Sequence, residues 1–462
     1  CAYSIPASAF NCCCIYTHPA LMGCSLGYLK NSTCPSGSRR MLRQEPLSPS
    51  AFGSRSPRLF TQLCQQSTLA EIALEPGRSR NFAVGIARMR VGNKLEEYVC
   101  SKEPQTRSGV LLRESAKRLR IKTEDVEEII KPYTVYIQRL PVPIMGAVVN
   151  LISGIVLHNR ARGPYKGGIR IAKDVDIWET TELARLMTLK TALADIDLGG
   201  GKSGISIDLR ALYATMVREK RFLGDFREFA RIAKSDIIIE FTDHFGWLFA
   251  RHHYIPAPDM GSGGEEMVRI YNATLDPASV TGKPDGVEGW LPGRAEATGY
   301  GVWYAAIRDM ERKGIPPDRC SAAIQGFGKV GMHAARFLHE SGVRVIGVTD
   351  LTGGVYEPEG LDILDLVKHY AREGSFKGYK AKSLTNDSLF KLTTDYLIPA
   401  AAGHVIDEAN APSIGAKVVV VGANMPVTCE AMQLLASRGI EILPDVYANA
   451  GGVIASNIEY RH

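Results

Sequence analysis

Cysteine is nearly missing from the body of this sequence. Of ten cysteines in 462 residues, eight fall within the first hundred, including the run Cys12-Cys13-Cys14, and only Cys320 and Cys429 follow. They show no paired metal-ligand spacing, and two distant thiols cannot staple a body of this length, so a disulfide framework is excluded there. Sparse cysteine points instead to a reducing compartment: the cytoplasm, or the mitochondrial matrix if the leader is a transit peptide. Long hydrophobic runs are equally scarce. The longest, "PVPIMGAVVNLISGIVL" (141–157), is shorter than a membrane span and carries Asn150 and Ser153, so it reads as buried strands and no membrane partner is expected. Charge of one sign is scarce too. A net +6 is small for this length, and no Lys/Arg block interleaved with aromatics is present, which excludes a nucleic-acid surface. No metal site is expected.

What is present is an ordinary globular composition, 45% hydrophobic and 23% charged, in a chain long enough for two or three domains. Residues 1–70 stand apart. They are rich in Ser, Pro, Arg and Cys, and Glu45 is their one acid. That composition fits either a transit peptide, particularly from Met41 onward, or a disordered leader. We therefore set 1–107 aside as an atypical leader. From 108 the pattern is globular: "LLRESAKRLRI" and "TEDVEEIIKPY" read as short helices, with Thr123 placed to cap the second and Glu124 and Asp125 in its first turn. A helix through "MTLK", a glycine turn and a helical stretch at 211–250 follow. After "GRAEATGYGVWYAAIRDMERKG" the texture becomes strand–helix alternation ("CSAAIQ", "MHAARFLHESG", "VRVIGVTD", "DYLIPAA", "KVVVVGAN", "ILPD"). Such alternation implies a parallel sheet covered by helices.

Two glycine clusters ask for explanation. "DLGGGKSGISIDL" (197–209) mimics the end of a phosphate-binding loop at Gly201-Lys202-Ser203. Position 196 is isoleucine where that motif needs glycine, and the order is helix–loop–strand where it needs strand–loop–helix, so that reading fails. A lysine on a glycine turn remains, where backbone and ammonium can approach a ligand closely. "AAIQGFGKVGMHAARFLHESGVRVIGVTD" holds G-x-G-x-x-G at Gly326, Gly328 and Gly331, with a strand before it, a helix opening on it and a second strand ending in Asp350. In that context the glycines admit a dinucleotide pyrophosphate. Asp350, 24 residues past Gly326, can bond ribose hydroxyls. A carboxylate there leans to NAD and leaves NADP possible.

Three further lysine settings join this site: Lys166 in "GPYKGGIR", Lys190 in "LMTLK" and Lys202 in "GGGKSG", together with Asp259 in "PAPDM". With "HNRARGPYKGGIR", "MTLKTA", "LGGGKSGI", "IPAPDMG", "TGKP", "ATGYGV", "QGFGKVG", "GANMPVT" and "NAGGVIAS" in order, the chain from about 156 onward resembles the glutamate dehydrogenase family of amino-acid dehydrogenases.

The resemblance implies an α/β fold of two domains. An N-terminal α/β substrate-binding and oligomerisation domain (108–290) would precede a Rossmann-like dinucleotide-binding domain with a mostly parallel sheet (291–448). Residues 449–462 would begin a return to the first domain that relatives continue through further helices. It implies reversible oxidative deamination of L-glutamate to 2-oxoglutarate and ammonium with NAD(P), in a homo-oligomer, a homohexamer by resemblance. Lys190 would take the α-carboxylate, Lys166 and Ser456 the side-chain carboxylate. Lys202 and Asp259 would be catalytic, the lysine activating water and the aspartate exchanging protons with the departing amino group. Thr298, Gly326, Gly328, Lys329, Gly331, Asp350 and Asn424 would face the cofactor. Two alternatives stay open: a dehydrogenase of leucine, valine or phenylalanine, whose positions 166 and 456 are normally apolar, and an inactive nucleotide-binding paralogue. Two features depart from the family pattern. Lys329 stands where Asn is usual, and "PIMGAVVNLISGIV" replaces a turn and a Gly-Tyr-Arg-type strand.

Overall fold

The apolar runs on either side of Met145-Gly146 form the longest strand pair of the first domain. In the computed structural model, which describes residues 88–89 and 107–462, Thr134–Ile144 (β2) and Ala147–Asn159 (β3) pair antiparallel from Thr134↔Leu157 to Ile144↔Ala147. Met145 (φ 47°) and Gly146 (φ 72°) make the two-residue turn. Both central residues at positive φ give the backbone twist that suits a tight hairpin. Pro141 and Pro143 sit in β2, which pairs only with β3 among the described strands, so no ladder bond is lost to them.

This hairpin belongs to a six-stranded mixed sheet with the order β1-β3-β5-β4-β6, β2 pairing with β3 off that path. Its other members are Arg88–Met89 (β1), Tyr165–Ala172 (β4), Gly200–Ser206 (β5) and Tyr254–Pro258 (β6). The parallel run β5-β4-β6 carries the residues that matter below. The helices are Arg107–Leu119 (α1), Thr123–Ile130 (α2), Ile177–Leu193 (α3), Leu209–Arg218 (α4), Phe226–Ala250 (α5) and Gly264–Thr274 (α6). On α5, Phe229, Ala233, Ile237, Phe241, Phe245 and Leu248 recur at helical spacing and pack against Ile155, Ile169 and Ile205 of the sheet.

Two local expectations are corrected here. Thr123 is the first helical residue of α2; Lys122 occupies the N-cap position and no side chain caps it. The stretch 211–250 is two helices, because Asp225 bonds the N–H of Glu228 at 2.8 Å and starts α5 afresh. Most of the leader, and its cysteines, lies outside the described residues. Of it, Arg88–Met89, beside Val148–Val149, and Arg107, the first residue of α1, are described.

The second domain follows the alternation read from the sequence. Its helices are Ala297–Lys313 (α7), Lys329–Glu340 (α8), Ile363–Glu373 (α9), Asn386–Phe390 (α10), Cys429–Ser437 (α11), Asp445–Ala448 (α12) and Gly451–Arg461 (α13). Its strands are Ser321–Gln325 (β7), Arg344–Asp350 (β8), Gly353–Tyr356 (β9), Lys382–Leu384 (β10), Thr394–Pro399 (β11), Ala416–Val420 (β12) and Glu441–Leu443 (β13). They order as β10-β9-β8-β7-β11-β12-β13, parallel from β8 to β13 and antiparallel at the β9-β10 edge. Successive residues serve opposite faces. Tyr396, Ile398, Val418 and Val420 enter one core, and Leu397, Val419 and Val421 enter the other. A sheet buried on both faces needs such continuous apolar strands. No helix among the described residues is long and apolar enough to cross a membrane.

Candidate active site

The glycines before Lys202 build a strand, not a turn. Gly200 and Gly201 open β5 and pair with Asn159 and Leu157 of β3, and neither has positive φ. Their smallness serves packing. A Cβ on Gly200 would overlap Thr188 of α3, and one on Gly201 would come 3.0 Å from the Tyr254 ring. A Cβ on the neighbouring Gly167 would strike the carbonyl of Gly201. Helix α3 and strand β4 therefore close tightly on β5, and Lys202 is fixed by sheet register.

Lys202 is 3% exposed, and its ammonium donates to Oδ2 of Asp259, just past the end of β6. Asp259 also accepts from Arg170 at 3.2 Å and from the N–H of Met260 at 2.6 Å. Arg170 is held from its other side by Glu179. Burial would raise the Asp259 carboxyl, but Lys202 and Arg170 outweigh it and hold the group well below the usual carboxylate range. For Lys202 burial dominates and lowers the pKa; Asp259 opposes this and Arg170 adds to it.

Lys190, in the last turn of α3, reaches across to the second domain. Its Nζ donates to Oδ1 of Asn424 at 2.8 Å, and Asn449 Nδ2 donates to the same oxygen at 3.1 Å. Burial pulls Lys190 down to about 8 against the pull of Asp445. Lys166, on β4, is 1% exposed. Among the described residues it has no hydrogen-bond or ion-pair partner. Burial drives its pKa well below the ordinary lysine value; Arg294 adds to this and Glu459 opposes it. Ser456, one turn into α13, accepts from Arg294 Nη2 at 3.1 Å and donates to the Gly452 carbonyl at 3.0 Å. Arg294 thus bears on both residues, as a donor to Ser456 and as a like charge acting on Lys166.

The expected cofactor residues gather mainly at the other sheet. Gly326 turns the chain out of β7 at φ 94°. A Cβ on Gly331 would overlap the Gly326 carbonyl, while one on Gly328 would meet nothing within 4 Å. Gly328 is the N-cap of α8, with no side chain satisfying the first N–H groups. Lys329, beside it, is exposed. Asp350 ends β8, where Oδ1 accepts from the Thr352 backbone and hydroxyl, both at 2.7 Å, and Oδ2 from the Tyr370 hydroxyl at 2.7 Å. Thr298 sits in the first turn of α7 against α13, so that a Cβ on Gly452 would come 2.5 Å from its Oγ1.

Models of two families match this chain: the Glu/Leu/Phe/Val dehydrogenase dimerisation domain over residues 132–275, and Glutamate/Leucine/Phenylalanine/Valine dehydrogenase over 289–462. A glutamate dehydrogenase of Thermotoga maritima is 37% identical over 356 residues, 75% of this chain and 81% of that protein. The chain belongs to the Glu/Leu/Phe/Val dehydrogenase family. An NAD-specific glutamate dehydrogenase A of Halobacterium salinarum is 33% identical over 79% of this chain and 82% of that protein. Among solved structures, the hetero-hexameric glutamate dehydrogenase of Thermus thermophilus, in its leucine-bound form, is 28% identical. It superposes with a TM-score of 0.67, covering 78% of this chain and 85% of that one.

Within this family fold, the structure adds residues that sequence reasoning passed over: Arg170, Lys283, Arg294, Asn449 and Glu459. None stands out by composition. Arg294 lies in a glycine- and proline-bearing loop, and Glu459 lies in the last turn of a helix that drew attention only through Ser456. Their relevance is set by tertiary contact.

Proposed function

We propose that the chain catalyses the reversible oxidative deamination of L-glutamate to 2-oxoglutarate and ammonium, with NAD(P) as hydride acceptor. The observation that carries the glutamate assignment is the state of Lys166. A fully buried lysine without a partner, beside the guanidinium of Arg294, is costly unless an anion completes it. A substrate side chain ending in a carboxylate completes it; one ending in methyl groups does not. Leucine, valine and phenylalanine are therefore disfavoured by charge.

The roles follow from the groups present. Lys166, Arg294 and Ser456 hold the side-chain carboxylate, and Lys190 holds the α-carboxylate while Asn424 keeps it aimed. The Gly326–Gly331 loop would hold the dinucleotide: Gly328 leaves open space for a pyrophosphate, the uncapped N–H groups of α8 would supply donors, and Asp350 would bond the ribose hydroxyls. A bound NAD(P) would supply the hydride acceptor for the substrate α-carbon. Lys202, its ammonium form disfavoured by burial, accepts a proton from water as that water adds to the imine carbon left on the substrate. Asp259, an anion in contact with Lys202, relays that proton from the lysine to the departing nitrogen; as ammonia leaves, the carbinol hydroxyl gives its proton back to Lys202 and 2-oxoglutarate remains. Thr298 contacts the nicotinamide end and Lys329 the phosphates. The active form is a homo-oligomer, a homohexamer on the pattern of the family, built through residues 108–290. A reducing compartment, cytoplasm or mitochondrial matrix, suits its cysteine distribution.

The test is product analysis on the purified full-length chain. With glutamate and NAD, NADH, 2-oxoglutarate and ammonium should form in equal amounts. Cofactor binding without turnover on any amino acid would leave an inactive paralogue.

A further inference from the structure

Asp350 is held more firmly than a residue at the end of a strand needs to be. Its backbone carbonyl accepts from Nδ2 of Asn386 at 3.0 Å, and Asn386 Oδ1 in turn accepts from the Thr349 hydroxyl at 2.6 Å. Both carboxylate oxygens are engaged as well. Oδ1 accepts from the N–H and the hydroxyl of Thr352, and Oδ2 from the hydroxyl of Tyr370, all at 2.7 Å. Tyr370 comes from α9, 20 residues further along the chain. Its ring lies edge-on to Phe327, 5.2 Å between centroids, and tilted against Phe376 at 5.0 Å. Phe327 is the residue between Gly326 and Gly328, and it is 1% exposed. One side chain therefore touches both the glycine loop and the acid at the end of β8. With the ring packed on two sides the phenol oxygen stays where it is, and among the described residues Asp350 is its one hydrogen-bond partner. Burial, and then the hydrogen bond to Asp350, push the phenol up to about 12, so it remains a donor at neutral pH.

We propose that Tyr370 and Thr352 are positioning residues for cofactor selection: they fix both oxygens of Asp350, so that the carboxylate must face whatever the adenosine ribose carries at its 2′ position. The inference rests on the reading of Asp350 as the ribose ligand. An ionised carboxylate has about four acceptor positions. Three are filled here, and the one left, on Oδ2, suits a ribose hydroxyl, which donates. A 2′-phosphate brings acceptors and negative charge to the same point. An aspartate held by its backbone alone could swing its carboxylate towards solvent, since the residue is only half-buried, and the repulsion would fade. Held at both oxygens it cannot, and the penalty falls on the phosphorylated cofactor. Thr352 makes Oδ1 a pivot, and Tyr370 stops Oδ2 from turning about it.

The experiment measures kcat and KM for NAD and for NADP at saturating glutamate on the full chain. Tyr370→Phe deletes the hydroxyl and keeps the ring against Phe327 and Phe376. The ratio of kcat/KM for NAD to that for NADP should fall about tenfold, the scale of one hydrogen bond to a charged group. The change should appear as a higher KM for NAD and a lower KM for NADP, with kcat little altered. Thr352→Ala should lower the ratio less, because the backbone N–H still holds Oδ1, and Thr352→Ser should restore it. In an Asp350→Ser background, Tyr370→Phe should lower the ratio no further, since the phenol acts through the carboxylate. A Tyr370 that merely packs would depress both cofactors together, and equally in either background. That result, or a Tyr370→Phe ratio equal to wild type, overturns the proposal. Should Tyr370→Phe fail to fold, Thr352→Ala at its exposed position carries the test, and an unchanged ratio there overturns it. Asp350→Ser alone separates the two claims. If it leaves the ratio unchanged, the reading of Asp350 is wrong and this inference falls with it; if it lowers the ratio while Tyr370→Phe and Thr352→Ala do not, only the present inference falls.

Discussion

Replacing Asp259 by asparagine tests the proton machinery at its narrowest point. The change keeps side-chain volume and an oxygen able to accept from Met260 N–H, 2.6 Å away. It deletes the charge that Lys202 and Arg170 share. Arg170 retains Glu179. Lys202 retains no carboxylate contact, and with burial and Arg170 both acting against its ammonium form, it deprotonates more readily. An orphaned buried charge costs about 3–5 kcal/mol. Because Lys202 can shed its charge and Arg170 keeps a partner, we expect the stability loss to be nearer that of an unmade buried hydrogen bond, about 1–3 kcal/mol. The rate effect is larger: kcat should fall about 10²–10⁴-fold, the scale of a positioned acid–base group. The acid limb of the residual activity should move to lower pH, since the neutral lysine that serves as base then exists at lower pH. Lys202→Ala should cost about as much. The two groups pass one proton sequence, so the double variant should cost no more than about the worse single one, as groups acting as a unit do. The assay is steady-state NADH formation for wild type, both singles and the double, with NADH affinity followed by fluorescence. Losses that multiply, an Asp259→Asn variant within about tenfold of wild type, or parallel loss of NADH affinity would refute the coupled pair.

The remaining expectations are shorter. Lys166→Leu with Ser456→Val should lower kcat/KM for glutamate by about 10²–10⁴-fold, because the substrate carboxylate is left unpaired; rates on norleucine should rise only when Arg294→Met is added, since the guanidinium otherwise still penalises an apolar end. Native chain should prefer NAD over NADP through repulsion of a 2′-phosphate by Asp350, and Asp350→Ser should narrow or reverse the kcat/KM ratio; a native preference for NADP would mean that Lys329 or a neighbour overrides the aspartate. With Lys190 held down to about 8 by burial, KM for glutamate should climb as pH rises above that value, because the protonated form is the one that holds the α-carboxylate; a KM flat from pH 7 to 10 would remove Lys190 from that role.

The second domain was the more legible half. Its strands are apolar on both faces, and α8 repeats Gly331, Ala334, Ala335 and Leu338 as its buried stripe, so strand, glycine loop and helix could be read in order. Asp350 at the end of β8 follows from the same pattern. The first domain hid more. Three glycines in succession read locally as a turn, whereas Gly200 and Gly201 are strand residues kept small by Thr188 and Tyr254; local propensity carries no trace of either neighbour. Thr123 has the chemistry of a cap, yet the helix starts one residue earlier than a cap there requires, with Thr123 already inside it. Arg294 and Glu459 could not be read at all, because an isolated charge in a sequence looks the same exposed or buried. Only the folded chain, with α13 laid against Gly282 and Lys283, brings Glu459 to Lys283 and Arg294 to Ser456.

The central claim is that the site formed by Lys166, Arg294 and Ser456 selects a second carboxylate and the glycine loop binds a nicotinamide dinucleotide. The most direct measurement is a matrix of initial rates for the full-length chain, L-glutamate and L-leucine each against NAD and NADP. The account predicts NADH formation with glutamate at least about 10²-fold above leucine at equal concentration, and NAD above NADP. Equal or greater rates with leucine, or no turnover in any cell of the matrix despite cofactor binding, would contradict it.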